Sequence, residues 1–99
     1  MKPANELQAL TTSIGEHSVD AIGAEHLNAL EVSLDSRDMT CQVIVALSDN
    51  SDAEQRRVLT ALLDVESLYY DEAVLSFSFV DSIEHDSAPL ESVPQYNYA

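Results

Sequence analysis

Each of the three histidines follows a glutamate: Glu16-His17, Glu25-His26 and Glu84-His85, the last followed by Asp86. A carboxylate beside an imidazole can orient the ring as a base, favour its charged form or share a metal ion with it. The spacing argues against all three uses. Adjacent residues do not face each other on a helix or strand, and none of the pairs recurs at the four-residue separation that places two ligands on one helical face. Among 18 acidic residues, a glutamate neighbour also arises by chance. His17, His26 and His85 therefore form a site only if the fold gathers them, for example at a dimer cleft. An enzyme or ligand-binding subunit built on such a His/carboxylate site is the alternative reading of this chain.

Other reactive groups are sparse. Cys41 is the single cysteine, which leaves no disulfide framework and no cysteine-based metal cluster. It falls on the inward side of a predicted strand, where a thiol behaves as a small buried hydrophobe with a raised pKa. The chain has no G-x-S-x-G elbow, no glycine-rich phosphate loop and no basic patch interleaved with aromatics. No cofactor or metal is expected, nor direct binding to nucleic acid, and enzymatic activity has poor support.

Charge is the dominant feature. Eighteen Asp and Glu against four Lys and Arg give a net charge of −14, a surface that repels nucleic acid and anionic lipid and attracts basic partners. Such a composition resembles salt-adapted proteins, small acidic proteins that mimic DNA, and simply soluble ones. The acids are scattered rather than aligned, which weakens mimicry. Glu84, Asp86 and Glu91 cluster towards the tail beside Tyr96 and Tyr98, and these five are the candidate partner contacts, tyrosine being enriched at interfaces. Against this, tyrosines also pack ordinarily at a sheet rim. Two of the four cations, Arg56 and Arg57, lie side by side in SDAEQRRV. Their plainer reading is local support of a helix, with Asp52 or Asp64 as partners.

The 99 residues make one domain. Leu7, Leu10 and Ile14 predict a short amphipathic helix after Pro3 that stops at Gly15, followed by a loop to Glu25. Strict alternation in Leu30–Asp35 and Thr40–Leu47 predicts a hairpin across residues 36–39, with Leu30, Val32, Leu34, Cys41, Val43, Val45 and Leu47 inward. Ser51 and Glu54 form a capping box that opens a second helix, whose stripe is Val58, Ala61, Leu62 and Val65. In the third strand Ala73, Leu75, Phe77 and Phe79 alternate with Val74, Ser76, Ser78 and Val80, so the core should centre on Phe77 and Phe79. Residues 82–99, with two prolines and no period, read as an irregular tail after a domain spanning 1–81.

The expected fold is α+β, a two-layer sandwich in the order α-β-β-α-β, its three-stranded sheet carrying both helices on one face. The third strand can lie beside the first or the second. The amino terminus has no apolar signal core and no segment reaches membrane length, so a cytoplasmic, soluble protein is expected. The opposite sheet face offers Ile44, Ala46, Val74 and Val80, apolar enough to want partial cover. A homodimer using the sheet would supply it, and the tyrosine-bearing tail folding back is the competing cover. The function that these features favour is a small acidic, non-enzymatic binding protein that prefers a basic partner surface.

Overall fold

A computed structural model describes residues 4–83 and 94–98 of the chain. Helix α1 (Ala4–Ile22) leads through a 3-10 turn (Ala24–His26) to strands β1 (Leu27–Asp35) and β2 (Thr40–Leu47). Helix α2 (Asp52–Tyr69), strand β3 (Val74–Val80) and strand β4 (Gln95–Tyr98) follow. The sheet order is β3-β2-β1-β4. The β1 strand is antiparallel to both of its neighbours, and β3 runs parallel to β2. The architecture is therefore α+β with a mixed sheet. No described helix is long and apolar enough to cross a membrane.

The alternating strands behave as their period dictates except at Ala46, expected on the outer face but fully buried between Val45 and Leu47. Leu30, Val32, Leu34, Cys41, Val43 and Val45 are all essentially inaccessible and pack against Ile14, Ile22, Val58 and Leu62 from the helices in one continuous cluster. At Ser51, half of the expected capping box forms. The Glu54 amide donates to Ser51 Oγ at 3.3 Å, while the Ser51 amide turns to Asp49 Oδ1 at 3.1 Å. The hairpin turn brings Met39 to φ 55°, left-handed backbone uncommon outside glycine. Its carbonyl accepts the Val74 amide at 2.9 Å, so this turn also carries the first rung between β2 and β3.

Three expectations need correction. First, α1 does not stop at Gly15 but runs on to Ile22, and Gly23, at φ 96°, ends it with its amide donating to the Val19 carbonyl at 2.8 Å. Ile14, Ser18 and Ile22 continue the buried stripe past Gly15. The buried hydroxyls of Thr11 and Ser18 donate to the carbonyls four residues earlier, at 2.7 and 2.8 Å, which lets polar residues occupy that stripe. Second, the sheet has four strands rather than three, because residues 95–98 add to β1. Third, Phe77 and Phe79 are only half-buried and flank the core rather than centre it. The third strand lies beside the second, at an edge, and an edge strand is covered from one side only.

Candidate functional site

The predicted site residues scatter. His17 does not engage Glu16; its ring meets Tyr69 of α2, with Nδ1 2.5 Å from the phenol oxygen and 3.1 Å from the Ser13 carbonyl. Ser13 Oγ lies 2.6 Å from the same phenol. Ser13 and His17 are one helical turn apart, and Tyr69 is the last member of the buried α2 stripe after Val58, Leu62 and Val65. Tyr69 is 7% exposed whereas His17 is an exposed residue. With a proton on Nδ1 the imidazole can donate to the phenol oxygen and the Ser13 carbonyl, while the phenol donates to Ser13 Oγ. The contact ties the two helices together. Extending the α2 stripe one turn beyond Val65 would have found Tyr69; its pairing with His17 carries no local sequence signal.

His26 also passes over its neighbouring glutamate. Its Nδ1 lies 3.8 Å from Glu54 Oε1 at the start of α2. The same carboxylate oxygen accepts Arg57 Nε at 2.8 Å and Nη2 at 2.5 Å, so Glu54, rather than Asp52 or Asp64, is the partner of Arg57. Arg37 forms a two-pronged contact with Asp35, Nε to Oδ1 at 3.2 Å and Nη2 to Oδ2 at 3.0 Å. Those bonds hold the Asp35 carboxyl below its ordinary range and the guanidinium above its own. His85, Glu84, Asp86 and Glu91 lie outside the described residues. Among the described residues, no group of three His, Cys, Asp or Glu side chains could hold a metal ion. Cys41 is buried, and loss of solvation pushes its thiol up to about 11.

Tyr96 and Tyr98 lie on β4 opposite Val32 and Leu30, on the helix-bearing side of the sheet, and both pack partly buried against the core. Tyr96 rests directly on Gly15, where a Cβ would meet its ring at 2.1 Å. Its phenol is raised, first by burial and then by the negative charges of Glu16 and Asp20. Beside it Gln8 clasps the backbone of Gln95, donating to its carbonyl at 2.8 Å and accepting its amide at 3.4 Å. Tyr96 is thus packed against this chain's own first helix.

Among the described residues, exposed apolar side chains gather towards the other edge. Val74 is 62% exposed, Tyr70 77%, Leu63 47% and Leu59 38%. Leu59, Leu63, Glu66 and Tyr70 recur at spacings of four, three and four along α2, one row on its surface. An open groove of about 400 Å³ lined by Glu66, Ser67, Tyr70, Ala73 and Val74 places the C-terminal end of that row next to β3. No residue of β3 is charged. Sequence period alone could not single out this strip, because being an edge depends on strand order.

No protein-family model, curated protein or solved structure matches this chain significantly.

Proposed function

We propose that the protein is a small acidic, non-enzymatic binding protein that acts through macromolecular interfaces as a homodimer and prefers a basic partner surface. The observation that carries this reading is the disposition of charge. Every described Asp and Glu is exposed or partly exposed, while Arg37 and Arg57 are each engaged with a carboxylate of their own chain. The chain keeps a net charge of −14, and such a field steers basic surfaces at long range. The dispersal of His17, His26 and Cys41 over separate elements adds support, since no described cleft gathers them for chemistry.

The test is binding to a lysine-rich polypeptide followed by stopped-flow mixing. The association rate should fall steeply between low and physiological salt, and neutralising Glu84, Asp86 and Glu91 to amides should slow it. Binding to duplex DNA at physiological salt would overturn the reading. Thermal stabilisation by Zn²⁺ that disappears in His17→Ala or His26→Ala would favour a ligand-binding subunit or enzyme instead.

A further inference from the structure

The homodimer is part of the reading above, and the structure carries it further, to an interface and a register. We propose that two copies join edge to edge through β3, antiparallel and centred on Phe77, so that their sheets become one continuous sheet. Because the Val74 amide donates to Met39 on the β2 side, the backbone groups of Val74, Ser76, Ser78 and Val80 point towards β2, and those of Leu75, Phe77 and Phe79 point away from the sheet. No described residue hydrogen-bonds to these outward groups. An uncovered edge of this kind is a template for another strand, and a two-fold axis perpendicular to the sheet makes such pairing antiparallel.

The strand itself is suited to a second copy. It reads Val-Leu-Ser-Phe-Ser-Phe-Val, with like residues at equal distances from Phe77. Antiparallel pairing about Phe77 sets Phe77 against Phe77 of the second copy, Leu75 against Phe79, Ser76 against Ser78 and Val74 against Val80. The residues directly opposite with outward backbone, Leu75 with Phe79 and Phe77 with Phe77, are those able to exchange amide and carbonyl bonds. Charge permits the contact and disfavours one slip of its register. On a chain at −14, β3 brings no charge to the contact, and in this register Asp81 faces Ala73 while Glu72 faces Ser82. A slip that sets Phe77 opposite Leu75 would place Asp81 opposite Asp71, with a like-charge penalty. The half-exposed Phe77 and Phe79 would then be covered by the same groups of the second copy.

The experiment combines mass and cross-linking. Light scattering of the native chain at micromolar concentration should give a dimer. Replacing Ser76→Asp together with Ser78→Asp puts carboxylates opposite one another across the interface on exposed positions, and should give a monomer with an unchanged far-UV spectrum. Ser76 and Ser78 of the two copies form a pair without mutual hydrogen bonds, with Cα atoms about 4.5 Å apart, inside the span of about 4.4–6.8 Å that a disulfide bridges. A mixture of the Ser76→Cys and Ser78→Cys chains should therefore cross-link on oxidation, while each chain alone should not. A native dimer that keeps its mass in the double-aspartate variant and fails to cross-link in the mixture overturns this interface and leaves the homodimer standing. A native monomer overturns both, and leaves the edge to a strand of a different protein. Binding to the lysine-rich polypeptide is read separately and is decided by neither result.

Discussion

The two edges of the sheet are built from similar material and end in opposite conditions. At the β4 edge, Tyr96 lies on Gly15 and Gln8 satisfies the backbone of Gln95, so α1 closes the sheet from within the chain. At the β3 edge, aromatic residues again alternate with polar ones and are partly buried, as Tyr96 and Tyr98 are, but no described residue hydrogen-bonds the outward backbone of the strand and Val74 is exposed. Helix α1 makes close contact with both β1 and β4, whereas Leu59 and Leu63 of α2 stay exposed. An edge is closed by what reaches over it, and the composition of the strand does not decide that.

The largest expected effect comes from opening the closed edge. Gly15→Ala adds a methyl where the Tyr96 ring already sits; it should cost about 1–3 kcal/mol by overpacking, although alanine in an open helix position would gain up to about 1 kcal/mol. Urea denaturation checks it, and in a Tyr96→Ala background the sign should reverse. No loss in the Gly15→Ala chain would mean that β4 docks differently.

Beneath both edges, the buried Cys41 sets an alkaline limit. Its folded pKa is raised to about 11 above an unfolded value of about 8.5, so between these values the unfolded chain binds fewer protons and stability falls as pH rises. The decline should not exceed about 1.4 kcal/mol per pH unit, and melting curves of native and Cys41→Ala protein from pH 8 to 11 should differ in slope, with the native slope steeper. Parallel slopes would contradict a buried, protonated thiol.

Between the edges, Tyr69→Phe removes the phenol that ties His17 and Ser13 to α2 and should cost about 1 kcal/mol, the net worth of a typical hydrogen bond. A thermal shift measures it, and His17→Ala should fall in the same range or lower. The smallest effect belongs to Arg57→Ala, which breaks an exposed pair with Glu54 and should change stability by about 0.2–0.5 kcal/mol. Salt acts on the whole surface: between 0.01 and 1 M NaCl screening shortens from about 30 to about 3 Å, and the melting temperature should rise. A flat or falling curve would argue against self-repulsion as a cost.

Much of the fold was legible because alternation and helical stripes are local. Leu30, Val32, Leu34, Val43 and Val45 were assigned inward from period alone and are inward, and Ser51 does cap α2. Gly15 misled because glycine ends many helices through its backbone freedom. Here it serves close packing instead, a purpose set by a tyrosine far along the chain. The clusters at His17 and His26 were invisible for the same reason: their partners, Tyr69 and Glu54, lie on another helix rather than beside them in sequence.

By itself, then, the sequence determined the α+β class, the inward faces of β1 and β2, the cap of α2 and a surface dominated by negative charge, because each depends on residues within a few positions or on composition. Only the tertiary structure decided that β3 pairs parallel to β2 and becomes an edge, that residues 95–98 close the other side, and that Gly15 lies under Tyr96. Strand order and interhelical contact are set by which distant segments can bury their apolar faces together. Period reports that a face must be covered, and the assembled chain determines what covers it.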